Sequence, residues 1–318
     1  MSVNLLTVLA ASAGLAMLLG TVPAKGALNA YVPNHESNTV SVVNTKTNKV
    51  TTTIPVGNGP FGVAVNPKGT TVYVANQSAN TVSVINATTN KVKTTIAVGD
   101  RPFGVAVFPD GKSVYVANYT VGTISVIDAT TDKVTATISG LSGPVGIAFA
   151  AGNAYVTNNQ GSTVSVIDTK TRTITANIPV GAFPEGIAVA PADNIYVVSA
   201  GDDNVSVIDT NTKTVTATIS VGSSPEEVAI SPNGTTAYVT NEGDNTVSVI
   251  DTESNEATGT ISVGSDPFGL AVTPTGAEVY VTNVGGNTVS VIDTNTNAVT
   301  KTISGFEDPE SLGVFIKP

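Results

Sequence analysis

Residues 102–139 read PFGVAVFPDGKSVYVANYTVGTISVIDATTDKVTATIS, and the pattern of these residues indicates the fold. It holds four short segments rich in β-branched residues, which favour strands. Turn-forming residues such as Pro109-Asp110-Gly111 separate the segments. The predicted strands are Phe103–Phe108, Ser113–Ala117, Thr123–Ile127 and Lys133–Ser139.

The same pattern recurs along the whole chain. Tyrosine followed by valine is spaced by 40 to 42 residues, at Tyr31, Tyr73, Tyr115, Tyr155, Tyr196, Tyr238 and Tyr280. The first strand of each unit is a continuous apolar run such as Gly-Val-Ala-Val, which indicates burial on both faces. Radial repetition of four-stranded antiparallel sheets covers both faces of every sheet. The pattern therefore predicts an all-β, seven-bladed β-propeller.

Small residues and the chain ends agree with a closed ring. Strands that converge on an axis need small side chains, and the innermost strands carry them at Gly62 and Ala64, Gly104 and Ala106, Gly146 and Ala148, Gly186 and Ala188, and Ser311 and Gly313. The first strand, Asn29–Pro33, corresponds to the second strand of a unit, whereas Glu310–Ile316 corresponds to an innermost strand. We expect the C-terminal strand to join three N-terminal strands in one blade, which removes the open edges of the ring.

The N-terminal segment is predicted to direct export. Leu5–Gly20 is apolar, and Val22-Pro23-Ala24 resembles a cleavage site between small residues. Residues 1–26 are therefore interpreted as a signal peptide, with an uncleaved anchor as the alternative, and residues 27–318 as the propeller. The expected location is extracellular, at the cell surface or in the periplasm.

The repeat also resembles a known family. Tyr-Val-Thr-Asn occurs at Tyr155–Asn158, Tyr238–Asn241 and Tyr280–Asn283, with Tyr-Val-Ala-Asn beginning at Tyr73 and Tyr115. The chain is similar to the YVTN-family β-propellers of archaeal surface-layer and other exported proteins, from about residue 28 to the end. The resemblance implies the propeller fold and a role at the cell surface.

Composition restricts the chemistry. The chain has no cysteine, one histidine and two arginines, so thiolate nucleophiles and cysteine-ligated metals are excluded. The net charge of −10 argues against a nucleic-acid partner. No established catalytic motif is present, and the pair His35–Glu36 reads as a solvated loop. The asparagine that ends each Tyr-Val-x-Asn motif is interpreted as turn chemistry.

Charge is predicted to divide between the two faces of the disc. One face carries the loops between blades and between second and third strands, and we call it the acidic face. Its charged groups are one base, Arg101, and thirteen acids. The acids are Glu36, Asp100, Glu185, Asp202, Asp203, Glu226, Glu227, Glu242, Asp244, Asp266, Glu307, Asp308 and Glu310. This gives the acidic face a charge of −12 and leaves +2 for the other, mixed-charge face. The asymmetry predicts either a docking surface for cations or a solvated surface that favours solubility.

One position in each blade points to a ligand site. The residue after the proline that opens each innermost strand should lie at the mouth of the central channel. Around the ring these residues are Phe61, Phe103, Val145, Glu185, Glu226, Phe268 and Glu310. Phe61, Phe103, Glu185, Glu226, Phe268 and Glu310 are the candidate contacts for an amphipathic cation. In the alternative reading, the phenylalanines plug the channel and the glutamates face water.

No cofactor is predicted, with calcium as the alternative. Candidate metal ligands are Asp202, Asp203, Glu242 and Asp244, which lie in corresponding loops of adjacent blades. Calcium takes six to eight oxygen ligands, and no known calcium-loop spacing is present.

Two classes of function follow from these residues. The first is a non-enzymatic binding or structural module whose partner is a protein or cell-envelope component, cationic on the face that docks. The second is a propeller hydrolase or lactonase with carboxylates at the channel mouth. Contact with a membrane is expected only through an uncleaved N-terminal segment.

Overall fold

The computed structural model describes residues 28–191, 194–313 and 315–316. Within these ranges the strands form seven antiparallel sheets, six of four strands and one of three. The predicted seven-bladed, all-β propeller is therefore confirmed. The expected signal peptide lies outside the described residues, and none of the helices inside them is long and apolar enough to cross a membrane.

Each blade runs outward from the channel in chain order. The innermost strands are β4 (Pro60–Val65), β8 (Pro102–Val107), β12 (Pro144–Ala150), β16 (Pro184–Val189), β20 (Pro225–Ile230) and β24 (Pro267–Val272). The second strands are β1 (Asn29–Asn34), β5 (Thr71–Asn76), β9 (Ser113–Asn118), β13 (Asn153–Asn158), β17 (Asn194–Ser199), β21 (Thr236–Asn241) and β25 (Glu278–Asn283). A 3-10 turn, Asn159–Gly161, follows β13.

The outer half of each blade repeats just as closely. The third strands are β2 (Thr39–Asn44), β6 (Thr81–Asn86), β10 (Thr123–Asp128), β14 (Thr163–Asp168), β18 (Asn204–Asp209), β22 (Thr246–Asp251) and β26 (Thr288–Asp293). The outermost strands are β3 (Lys49–Pro55), β7 (Lys91–Ala97), β11 (Lys133–Ser139), β15 (Thr173–Pro179), β19 (Thr214–Ser220), β23 (Glu256–Ser262) and β27 (Ala298–Ser304). We number the blades I to VII, so that β1 to β3 belong to blade I and β24 to β27 to blade VII.

The core lies between blades. Second and third strands are buried along nearly their whole length, whereas outermost strands alternate between exposed and covered residues. Tyr73 and Val84 of blade II, for example, pack in one cluster with Val105 and Val116 of blade III. Each sheet thus buries both faces against its neighbours, which explains the continuous apolar runs.

The chain ends close the ring as expected. Ala30 and Ile316 form an antiparallel bridge, and the Tyr31 amide donates to the Phe315 carbonyl at 2.8 Å. In the described part of the C-terminal segment, this contact consists of isolated bridges. The segment also contacts blade II, where the Val63 amide donates to the Leu312 carbonyl at 3.0 Å.

The motif tyrosines tie neighbouring blades together. The Tyr31 hydroxyl reaches the carbonyl of Ala87 in blade II at 3.3 Å. The Tyr280 hydroxyl of blade VII reaches the carbonyl of Thr45 in blade I at 3.2 Å, across the point of ring closure.

The motif asparagine has a different role from the predicted one. Asn76 is fully buried, and its side-chain amide donates to Thr81 Oγ1 at 3.0 Å and Ser83 Oγ at 2.9 Å. The same clamp occurs at Asn34, Asn118, Asn158, Asn241 and Asn283. The asparagine therefore joins the second strand to the third inside the blade, and the turn interpretation was wrong because it ignored the polar side chains opposite.

Candidate functional site

A β-bulge positions the residue that follows each opening proline. The pairing of β16 with β17 shifts between Pro184 and Ile187, so Glu185 and Gly186 have no partner in the ladder. The same shift occurs in all six complete blades. A bulge turns its side chains away from the pleat direction. The sequence of each innermost strand thus presents one side chain to the channel mouth.

Glycine at the next position permits the close approach of blades. A Cβ added at Gly62 would lie 2.0 Å from the carbonyl oxygen of Phe103, and at Gly104 it would lie 2.1 Å from that of Val145. Neighbouring bulges therefore touch through their backbones, as the small residues in the sequence indicated.

Threonine in the Tyr-Val-Thr-Asn motif fixes the bulge. Thr157 Oγ1 accepts a hydrogen bond from the Gly146 amide at 2.7 Å and donates to the Glu185 carbonyl of the next blade at 2.8 Å. Thr240 Oγ1 likewise accepts from the Glu227 amide at 3.0 Å and donates to the Phe268 carbonyl at 2.6 Å. These buried hydroxyls place the backbone of residues at the mouth.

The candidate contacts come together in one cavity of about 260 Å³, which we call the mouth cavity. Six of the seven predicted ring residues line it, together with three others, and the full set is His35, Phe61, Gln77, Arg101, Phe103, Glu185, Glu226, Phe268 and Glu310. The mouth cavity thus combines carboxyl groups with aromatic rings.

The seventh ring residue belongs to the floor. Phe61, Val145 and Leu312 form a buried apolar cluster, with exposures of 5%, 1% and 3%. Phe103 and Phe268 are partly exposed above it, and their rings lie 4.8 and 5.3 Å from the ring of Phe61. Phe61 therefore plugs the channel, as the alternative reading expects, whereas Phe103 and Phe268 stay partly exposed.

Burial changes the charge expected of the glutamates. Burial, and secondarily the charge of Glu227, raises the pKa of Glu185 to about 8. The pKa of Glu226 is also raised strongly, first by burial and then by Glu185 and Glu242. Burial and the nearby Asp308 raise the pKa of Glu310 to about 7. Burial therefore favours the protonated form of Glu185 and Glu226 near neutral pH.

His35 is part of this site, contrary to the solvated-loop interpretation. Its Nδ1 lies 3.5 Å from Asp308 Oδ2 and its Nε2 lies 4.0 Å from Glu310 Oε2. The sequence paired it with Glu36 because the partners in space are more than 270 positions away and meet only through ring closure.

Arg101 shows how a cation is held beside these rings. Its guanidinium carbon lies 5.1 Å from the centre of the Phe103 ring and 5.3 Å from that of Tyr119. These distances are within the range of a cation–π contact.

The predicted metal ligands have other partners. Asp202 Oδ2 accepts from the Ala182 amide at 2.8 Å, Asp244 Oδ2 from the Ser223 amide at 2.7 Å, and Asp203 Oδ1 from the Ser224 amide at 2.8 Å. Asp203 occupies the place of asparagines that brace the same loop in other blades, at Asn38, Asn80, Asn245 and Asn287. Glu242 interacts with Glu226 at the mouth.

Among the described residues, one group has side-chain atoms close enough together to hold a metal ion. It consists of His35, Asp308 and Glu310, whose ligand atoms lie within 4.8 Å of one another. An imidazole with two carboxylates suits a transition metal such as zinc better than calcium, which prefers oxygen ligands alone.

One residue that the sequence analysis assigned to the acidic face lies inside the channel instead. Glu227 stands where the other complete blades have glycine, and it is only 3% exposed. Its Oε2 accepts from the Gly313 amide at 3.0 Å, and burial raises its pKa to about 7. The break in the Pro-x-Gly pattern, Pro225-Glu226-Glu227, was the signal that could have identified it.

The chain matches a known protein family. The family described as YNCE-like beta-propeller matches residues 63–156 and 228–316, more than half of the chain. Among curated proteins, PE-PGRS family protein PE_PGRS18 of Mycobacterium tuberculosis (strain ATCC 25618 / H37Rv) is 62% identical over 39 residues. That alignment spans 12% of this chain and 8% of the relative.

Solved structures share the fold at low identity. Hydrazine synthase of Kuenenia stuttgartiensis is 23% identical, with a TM-score of 0.77, over 83% of this chain and 92% of that one. A functionally unknown protein from Desulfotomaculum acetoxidans DSM 771 is 16% identical, with a TM-score of 0.79, over 91% and 99% of the two chains. Dihydro-heme d1 dehydrogenase NirN, in complex with DHE, is 17% identical, with a TM-score of 0.68, over 90% and 66%. At these identities the likeness extends to the fold alone.

Proposed function

Since the chain belongs to the YNCE-like β-propeller family, we propose that it is an exported, non-enzymatic binding module that takes an amphipathic cation at the mouth cavity. The cation is a small ligand or a basic side chain of a protein or cell-envelope partner. The observation that carries the proposal is the mouth cavity itself, where three glutamates and three phenylalanines of the ring meet in about 260 Å³.

The chemistry of recognition follows from these groups. A planar cation such as an amidinium or guanidinium can bind a carboxylate through two parallel hydrogen bonds. Its apolar part can pack against Phe103 and Phe268, which are partly exposed. The acidic face around the mouth attracts the cation from solution.

Calorimetry with benzamidinium tests this proposal. The matched neutral compound is benzamide, which has nearly the same shape. At pH 8 we expect the wild type to bind benzamidinium and not benzamide, and the combined variant Glu185→Gln, Glu226→Gln, Glu310→Gln to lose that binding. Equal affinity of the wild type and the triple variant for benzamidinium, with both proteins folded, would reject the proposal.

Export to a surface-layer-type location is the second part of the proposal. It rests on the apolar run Leu5–Gly20 and on the Tyr-Val-Thr-Asn motifs. Fractionation of expressing cells, with sequencing of the mature N-terminus, tests it. Recovery of the unprocessed chain in the cytoplasm would contradict export.

A hydrolase is the second candidate, and the raised pKa values at the mouth favour it. A carboxyl group that keeps its proton at neutral pH can act as a general acid, as Glu185 with a pKa of about 8 would. Lactone turnover that is abolished by Glu185→Gln would support the hydrolase. If zinc raises the melting temperature of the wild type but not that of His35→Ala, the result would indicate a metal site at His35, Asp308 and Glu310.

A further inference from the structure

A second cavity occupies the other end of the channel. Its volume is about 430 Å³, and its lining residues differ entirely from those of the mouth cavity. The walls come from the later residues of the innermost strands, for example Val65, Val105, Ile187 and Leu270. We call this cavity the apolar chamber.

The apolar chamber opens toward the mixed-charge face. The innermost strands end at that face, and the wall residues Val107, Phe149 and Val189 near their ends are only partly buried. A ligand can therefore enter the chamber without passing the plug of Phe61, Val145 and Leu312.

One polar side chain reaches the chamber. Among its described lining residues, Glu227 is the only one with an ionisable or hydrogen-bonding side chain. A fully buried carboxylate among aliphatic walls is costly unless it is paired. A large apolar cavity with one convergent charged group is the usual form of a small-molecule site.

The hydrogen bonds of Glu227 leave room for a ligand. Oε1 accepts from the Val228 amide at 3.0 Å and Oε2 from the Gly313 amide at 3.0 Å. A carboxylate has about four acceptor positions, so about two stay free. No lysine, arginine or histidine lines the chamber within the described residues, so the carboxylate has no counter-ion there.

Anchoring of the C-terminal segment does not account for the charge. A glutamine would offer the same oxygen to the Gly313 amide, and the remaining blades build their bulges with glycine or serine at this place. A glutamine would lose the bond from the Val228 amide, and the negative charge also allows Glu227 to hold a cation.

We propose that the apolar chamber is a second binding site, for a primary alkylammonium ion, with the ammonium on Glu227 and the alkyl chain along the aliphatic walls. Two of the three N–H donors of the ammonium can bond to the roughly two free acceptor positions of the carboxylate. The site lies outside the mouth cavity, so it does not depend on the proposed function.

Methyl NMR titration with hexylammonium tests the proposal on the full-length chain. The neutral probe of matched length is 1-hexanol. We expect hexylammonium to shift the alanine and valine methyl resonances of the chamber and to bind at least about tenfold more tightly than 1-hexanol. Glu227→Gln, which keeps the acceptor for Gly313, should remove that preference.

A second variant tests the chamber without touching the charge. Ala106 lines the chamber and is partly exposed, so Ala106→Leu fills space that the alkyl chain would occupy. We expect this variant to weaken hexylammonium binding about tenfold while the protein keeps its fold.

The mouth variants separate this site from the proposed function. The Glu185, Glu226, Glu310 triple glutamine variant should still bind hexylammonium in the chamber, and Glu227→Gln should still bind benzamidinium at the mouth. Equal binding of hexylammonium and 1-hexanol, unchanged binding by Glu227→Gln, or shifts confined to mouth resonances would each overturn the proposal.

Discussion

The hydroxyl group of Thr157 donates a hydrogen bond to the carbonyl oxygen of Glu185, 2.8 Å away in the next blade. The bond joins blade IV to blade V at the backbone of a residue that lines the mouth cavity. A structural motif of the repeat thus also sets the position of a candidate ligand contact.

Replacement of Thr157 by valine should weaken binding at the mouth. Valine keeps the shape but leaves the Gly146 amide without its acceptor and the Glu185 carbonyl without its donor, so we also expect a loss of about 1–3 kcal/mol in stability. Calorimetry with benzamidinium measures the effect. Thr175→Val, which removes a hydrogen bond to Val166 on the outside of blade IV, is the control and should leave affinity unchanged.

Stability should fall as the pH rises from mildly acidic to alkaline values. Burial raises the pKa of Glu185 from 4.5 to about 8, so folding takes up a proton between these values. The stabilising contribution of protonated Glu185 is complete below the pKa of the unfolded state, 4.5. It is lost as the pH rises through the pKa of the folded state, about 8. The melting temperatures of the wild type and of Glu185→Gln, Glu226→Gln at pH 5 and pH 9 measure this.

The double variant should lose less stability than the wild type over that interval. Glu253→Gln, at an exposed carboxyl on the mixed-charge face, is the control and should behave as the wild type. An equal loss in the wild type and the double variant would show that the mouth carboxyls do not titrate as their burial implies.

Removal of the last ten residues should destabilise the whole ring. The deletion takes away the bridge between Ala30 and Ile316 and the plug residue Leu312, and it reopens blade I. We expect a large drop in melting temperature and loss of a single cooperative transition. A milder variant is Phe315→Ala, where loss of a fully buried ring should cost about 3–5 kcal/mol.

Phe183→Ala is the matched control for the closure. Phe183 is 57% exposed on a loop, so its removal should leave the melting temperature nearly unchanged. Similar effects of the two phenylalanine variants would contradict the role given to the C-terminal segment.

Blade V lacks the clamp asparagine, so adding one there tests how much the clamp stabilises a blade. Ser199 stands where six blades have asparagine, and both Ser199 Oγ and Asn204 Oδ1 are buried without a hydrogen-bond partner among the described residues. Ser199→Asn supplies the missing donor and should raise the melting temperature by about 2 °C, as a gain of about 1 kcal/mol does in a large domain. The exposed change Ser220→Asn should have no effect, and a lower melting temperature of Ser199→Asn would count against the clamp.

Much of the architecture could be predicted because each blade repeats the same local chemistry. The spacing of Tyr-Val pairs set the number of blades, and Gly62 and Gly104 indicated where the blades converge. The residues after the opening prolines could be placed at the mouth because topology alone brings them to one end of the channel.

The rest of the candidate site depends on how deeply each side chain is buried and on contacts between residues far apart in the sequence. The repeat pattern encodes neither. Glu185 and Glu226 look alike as charges in a sequence, yet burial changes how readily they ionise. His35 meets Asp308 and Glu310 only after the ring closes. Glu227 was assigned to the acidic face because topology gives the face on which a residue lies but not how deeply its side chain is buried.

Proton release on ligand binding shows whether a cation binds to the buried glutamates of the mouth cavity. If benzamidinium binds ionised glutamates that otherwise keep their protons, calorimetry near pH 7 in buffers of different ionisation enthalpy should show release of about one proton per bound cation. Affinity should rise from pH 6 to pH 9, and the triple glutamine variant should show neither effect. Binding that releases no proton and has the same affinity across this range would show that these glutamates do not hold the cation.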